Sequence, residues 1–193
     1  MQDDYNMEPT TPQQWLRKQF FAFRNGIVAQ HIREAGDPHR SIMGCLLADI
    51  MTMARDICAN QVTDIEQQAQ LAQQMWDITS SRECRLVAPM LMPPECMPLD
   101  MAMQWCSSVE TIEVADVLSH RLLRHLACCD TLMRQLIVHE RSLTRYTGYR
   151  LLQGGIIVGN ITPTPSLKAL LHTQLQQSQP PLSTLIATII TDL

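Results

Sequence analysis

A chain of 193 residues, 46% hydrophobic and 18% charged, can bury one sizeable core or two small ones, which excludes a globally disordered polymer. Its 15 Lys and Arg stand against 19 Asp and Glu for a net charge of −4, so a nucleic-acid footprint spread over the whole surface is excluded and any such footprint is local. All the basic residues but Lys18 and Lys168 are arginines, and the planar guanidinium suits hydrogen-bonded recognition better than diffuse attraction.

Residues 1–10 are expected to be a disordered tail and residues 11–193 a single domain. From Thr11, an N-cap with Pro12 at the first helical position, Trp15, Leu16, Gln19, Phe20 and Phe23 keep an i, i+3, i+4 rhythm. A second run, Ile27, Val28, His31 and Ile32, ends at Gly36, and Asn25-Gly26 kinks or breaks the segment between them. After the Asp37-Pro38 turn, Leu47 to Cys58 and Thr63 to Trp76 carry the next apolar faces. The same periodicity predicts helices over Ser80 to Met92, Pro98 to Cys106, Thr111 to Leu126, Asp130 to His139 and Ser142 to Val158. Pro165 to Gln177 and Pro181 to Thr191 complete the set. Breakers separate them at Pro93-Pro94, Thr162-Pro-Thr-Pro165 and Gln179-Pro-Pro181. Gly155-Ile-Ile-Val-Gly159 is the best strand candidate and is better explained as a helix end.

About ten helices joined by short turns predict an all-α fold, and stacked antiparallel hairpins fit it better than a bundle in which every element shares one axis. Leu71-Ala-Gln-Gln-Met-Trp76 and Asp100-Met-Ala-Met-Gln-Trp105 both bring a tryptophan to a helix end, 29 residues apart, a spacing that suits a helical-hairpin repeat. The expected architecture is a curved α-solenoid with a concave face.

Seven cysteines form an odd set with no Cys-x-x-Cys and no zinc-type spacing; Cys128-Cys129 is the one close pair. The start Met1-Gln-Asp-Asp-Tyr5 is polar and acidic, unlike a secretory leader, so the thiols read as reduced and buried in a cytoplasmic protein. No apolar run approaches the about 20 residues that span a bilayer. Gly-x-Gly-x-x-Gly and the Walker phosphate loop are absent, which argues against nucleotide-dependent catalysis. The 12 methionines read as gap-fillers between helices or as an adaptable surface.

On the helix starting near Thr111, Glu113, Asp116, His120 and Arg124 are separated by three, four and four residues and form one polar stripe, while Val114, Val117, Leu118 and Leu122 face the core. Asp116 lies in the first turns, where the helix dipole favours an ionised carboxylate. Two readings stay open: a functional stripe, or a solvated face of i, i+4 partners, Asp116 with His120 and His120 with Arg124. Arg82 and Arg85, Arg121 and Arg124, and Arg141, Arg145 and Arg150 supply local positive charge that could hold a phosphate backbone or simply face solvent.

Thr111-Ile-Glu-Val-Ala-Asp116, followed by Ser142-Leu-Thr-Arg145 on a later helix, resembles the core of the HEAT-like repeat family of DNA alkylation repair glycosylases. That family's helix opens Trp-Asp-x-x-Asp and its later helix carries Trp-x-Arg; Ile112 and Leu143 stand here where the tryptophans would be. The resemblance runs from Phe20-Phe-Ala-Phe-Arg-Asn-Gly26 to near Val158. It implies that Asp116 would be the catalytic carboxylate, stabilising positive charge on a deoxyribose as the bond to an alkylated purine breaks. It implies that Arg145 is a DNA-backbone contact; Arg82, Arg85 and Arg124 are further candidate contacts by their own placement, and Glu113 and His120 share the stripe with Asp116. Neither a metal nor an organic cofactor is implied, and the partner is double-stranded DNA. Aliphatic side chains at 112 and 143 have no ring face to offer a cation, which favours binding over base release. The reading from a different class is a non-catalytic scaffold that binds a protein or peptide on its concave face.

Overall fold

In a computed structural model, residues 11–193 are described and are all-helical; the expected N-terminal tail lies outside them. Among the described residues the only β pairing is an isolated parallel bridge between Ser41 and Ser81. Where a single domain is expected, the chain divides into two compact units, the first ending at Leu91 and the second running Met92–Leu193.

In the first unit, α1 (Pro12–Ala22) opens with a capping box in which Thr11 and Gln14 bond each other's backbone N–H, and it buries Leu16 and Phe20. The Asn25-Gly26 pair breaks the segment outright: Asn25 Oδ1 accepts from the Ile27 and Val28 N–H groups and starts α2 (Gly26–Glu34). Next come α3 (Leu47–Asn60), α4 (Ile65–Trp76, capped by Asp64) and α5 (Arg82–Leu91). Helix α5 packs on α3 and α4, and every residue of it except Met90 is buried. Its polar side chains therefore bond inward. Glu83, fully buried, accepts from the Met43 N–H at 3.1 Å and the Gly44 N–H at 3.0 Å, and Arg82 Nη1 reaches both Glu83 Oε1 at 3.0 Å and the Cys45 carbonyl at 3.2 Å. Gly44 has φ +74°, and a Cβ there would collide with the Asn25 carbonyl and the Ala29 backbone, so this turn requires glycine.

In the second unit, α6 (Leu99–Ser107) and α7 (Ile112–Arg121) precede a 3-10 turn at Leu123–His125, then α8 (Cys129–Leu136) and α9 (Ser142–Ile157). The last helices are α10 (Pro165–Gln177) and α11 (Leu182–Thr191). The sixteen-residue α9 is the centre, in contact with α6, α7, α8 and α11. Gly148 permits that close approach: a Cβ there would sit 2.7 Å from Leu136 Cβ and 2.9 Å from the Ile137 nitrogen. The glycine-flanked stretch at 155–159 is a helix end, with Gly159 at φ +80° and the Asn160 N–H bonded to the Gly155 carbonyl at 2.8 Å.

One expected helix is two elements. Thr111 caps α7 through the Val114 N–H, but α7 stops at Arg121, and Leu122 leaves the helical region at φ −124°, ψ −64°. The tighter turn that follows buries Leu122, Leu123 and Leu126 together while His125 stays exposed, and the Asn160 side chain satisfies the freed Arg124 carbonyl at 2.7 Å.

Candidate functional site

Asp116 occupies the second turn of α7, where its neighbours Val114, Ala115, Val117 and Leu118 are buried and fix the helix on α9. Two α9 side chains one turn apart meet its carboxylate: Tyr146 Oη donates to Asp116 Oδ1 at 3.0 Å, and Arg150 Nε pairs with the same oxygen at 2.7 Å. Both contacts fall on Asp116 Oδ1, Oδ2 has no partner among the described residues, and the Asp116 side chain is 36% exposed. The network continues along α9: Arg150 Nη1 donates to Gln153 Oε1 at 2.7 Å, and Gln153 Nε2 to Asp192 Oδ2 at 3.4 Å. Burial first, then the Asp116 charge and hydrogen bond, push the Tyr146 hydroxyl up to about 12, so it stays a donor across the physiological range.

The surroundings are locally positive. His120, exposed but crowded, is held below the usual imidazole range, first by partial desolvation and then by Arg124, Arg121, Arg150 and His125. His125 is lowered by burial and by Arg124, whose Nε donates to His125 Nε2 at 3.1 Å. Three guanidinium groups thus act on His120, and one of them, Arg150, also pairs with the partly exposed Asp116 carboxylate.

The sequence-predicted residues divide sharply. Glu113 and His120 lie on α7 with Asp116, but Arg124 falls on the 3-10 turn, so the four-residue stripe is not one helix face. The expected Asp116–His120 pairing gives way to Asp116 with Tyr146 and Arg150. Arg82 and Arg85 are corrected from backbone contacts to interior residues, 4% and 1% exposed. Arg85 lays its guanidinium 3.6 Å from the Trp76 ring centroid and donates to the Trp76 carbonyl at 2.9 Å. No phosphate reaches a group held that way.

Arg145 Nη1 donates to the His139 and Glu140 carbonyls at 2.9 and 2.8 Å, pinning the α8–α9 turn, and the arginine that reaches Asp116 is Arg150. Ile112 is exposed and Leu143 half-buried, so the tryptophan positions of the resemblance flank Asp116 and Tyr146 with aliphatic surface. Trp76 and Trp105 are buried and present no ring face there.

Sequence reasoning missed that Tyr146 and Arg150 act together on Asp116. Their i, i+4 spacing signals a common face, but which helix that face meets depends on tertiary packing.

Chemically, a half-exposed carboxylate with one free oxygen can orient a water or accept a donor. Its pairing with Arg150 weakens what it offers a developing cation. Among the described residues no cluster of His, Cys, Asp and Glu is grouped to hold a metal ion. Burial pushes the thiols up, Cys45 to about 12 and Cys84 and Cys129 to about 11, which leaves them poor nucleophiles. No described helix is long and apolar enough to cross a membrane. No protein-family model matches this chain, and neither a curated protein nor a solved structure matches it.

Proposed function

We propose that this chain is a divergent alkylation-repair-like protein of stacked HEAT-like hairpins that binds nucleic acid through the α7–α9 face of its second unit. The single observation that carries this reading is the positive field that Arg121, Arg124 and Arg150, with His125, set up at His120, one helical turn from Asp116, in a chain whose net charge is −4. Positive charge concentrated against an acidic total is the local footprint that phosphate recognition needs. The match of Thr111-Ile-Glu-Val-Ala-Asp116 and Ser142-Leu-Thr-Arg145 to the family pattern supports the same class. The Arg150 pair on Asp116, and the aliphatic Ile112 and Leu143, favour binding without efficient release of an alkylated base.

The test is duplex DNA binding at two salt concentrations, with and without 7-methylguanine in the duplex. Binding that weakens steeply with salt, and weakens again in Arg124→Ala and Arg150→Ala, is the expected result. Measurable release of 7-methylguanine that disappears in Asp116→Asn would restore the catalytic role. The absence of both binding and release would remove the repair reading.

A second reading, a non-catalytic scaffold for a protein or peptide, is favoured by one observation in the first unit. Phe21, Phe23 and Ile27 are 57%, 50% and 71% exposed around the α1–α2 break. Apolar groups so displayed mark partner surfaces more than solvated ones. Salt-insensitive capture of a folded partner, lost in Ile27→Asp, would favour it over DNA.

A further inference from the structure

Ser142, Arg145 and Tyr149 are separated by three and four residues, so they share one face of α9, about 100° around the helix from the Tyr146–Arg150 face. All three line an open cavity of about 590 Å³ within the second unit, bordered also by Ile137 and Val138, by α10 and by the segment leading into α11. We propose that this cavity is a binding site for a small amphiphilic organic anion, its acid head held by the α9 start and Arg145 and its body seated against α10.

Three α9 groups border the cavity and could serve the head. Helix α9 begins without a side-chain cap and with no acidic residue in its first turn, so its free N–H groups and the positive end of its dipole are not neutralised, and Ser142 at that start lines the cavity. Arg145 is already oriented: both Nη1 bonds go to the His139 and Glu140 carbonyls, which leaves the Nε–Nη2 edge, the edge that grips an oxyanion bidentately, without a partner among the described residues. Tyr149, 1% exposed, has a hydroxyl with no hydrogen-bond partner, and burial raises its pKa, so it remains a donor.

The rest of the lining sets the ligand class. Among the described residues Arg145 is the one charged residue lining the cavity, and no carboxylate lines it. Ile137, Leu170 and Leu182 supply apolar surface, and Gln174 and Gln177 supply amides. A volume of about 590 Å³ lies in the range of small-molecule sites, roughly 300 to 1,000 Å³, and is far too small for a duplex. A single cation, an apolar wall and amide donors together select a compact body bearing one carboxylate or phosphate. This inference stands apart from the nucleic-acid reading, because it uses none of the groups around Asp116.

The experiment is calorimetric titration of the full chain with benzoate, phenyl phosphate and benzamide, which share one apolar body and differ in the head. At least one of the two anions should bind in the millimolar range or tighter, which of them telling carboxylate from phosphate, and benzamide should bind about tenfold more weakly or worse. Tyr149→Phe, which removes only the hydroxyl, should weaken the anion about fivefold while leaving the melting temperature unchanged or raised. Arg145→Lys should weaken it about tenfold through loss of the fork. The proposal is overturned by equal affinity for benzamide and the anions, by no binding of either anion at tens of millimolar, or by unchanged anion affinity in Tyr149→Phe. Because Arg145 also holds the α8–α9 turn, the Tyr149→Phe result decides if Arg145→Lys fails to fold.

Discussion

Helix α5 of the first unit and the α7–α9 face of the second each pair an arginine with a carboxylate, yet the two clusters behave as opposites. Arg82 and Glu83 are sealed, their side chains 5% and 0% exposed, and the carboxylate also accepts two backbone N–H groups from the Met43-Gly44 turn. Arg150 and Asp116 are 31% and 36% exposed, and one carboxylate oxygen is left over. The first arrangement is fully committed to holding a turn against a helix; the second retains capacity for a partner. What separates structural from available charge here is burial and the number of backbone groups served, since both are arginine–carboxylate pairs.

The largest test of that contrast is Glu83→Ala. It leaves Arg82 buried without this carboxylate and strips the Met43 and Gly44 N–H groups of their acceptor, so unfolding in urea should show a loss of about 3–5 kcal/mol. A loss below about 1 kcal/mol would break the distinction, because that is the scale of an exposed pair. Next in size is Arg85→Lys, which keeps the charge but loses the planar group over Trp76 and its bond to the Trp76 carbonyl. A destabilisation of about 2 kcal/mol is expected, with a change in Trp76 fluorescence that reports the altered ring environment.

Much of this fold was legible in the sequence, and the site far less so. Thr11 with Pro12, Asn25-Gly26, Pro165 and Gly159 marked helix ends correctly because caps and breakers act through local backbone groups. The run from Thr111 to Leu126 misled because its apolar period continues while Leu122 turns out of the helix, and only packing of three leucines in one place reveals that. Arg82 and Arg85 misled for a related reason. Lone arginines are usually exposed, and nothing in Ser81-Arg-Glu-Cys-Arg85 discloses that a turn forty residues earlier needs its N–H groups satisfied from inside. Asp116 was legible as a residue of interest through its place on α7, whereas its partners were not, because Tyr146 and Arg150 lie thirty or more residues away on a helix whose contact face is a tertiary outcome.

A smaller effect sharpens the open side of the comparison. Asp116→Asn removes the charge from a pair about a third exposed, so its cost in stability should stay below about 1 kcal/mol by chemical denaturation. The same change deletes the one negative group nearest Arg150 and should therefore tighten salt-sensitive DNA binding rather than weaken it. Weaker binding in Asp116→Asn would mean that the carboxylate itself orients the ligand.

The smallest effect is a pH dependence with opposite signs for folding and for binding. Folded His120 and His125 release their protons more readily than imidazoles in an unfolded chain, whose pKa is about 6.5. Between that value and the lowered folded ones the unfolded state holds more protons, so these residues make the fold less stable as pH falls through the window just below about 6.5. A phosphate placed beside Arg121, Arg124 and Arg150 would reverse the balance at His120, because an anion favours the imidazolium that the three arginines oppose. DNA affinity should therefore rise over the same interval in which stability declines, and His120→Gln should flatten both trends while His125→Gln flattens mainly the stability term. Affinity that stays level from neutral pH down through this window, with His120 shown by NMR to titrate in it, would place the phosphate away from α7 and return that face to a structural role.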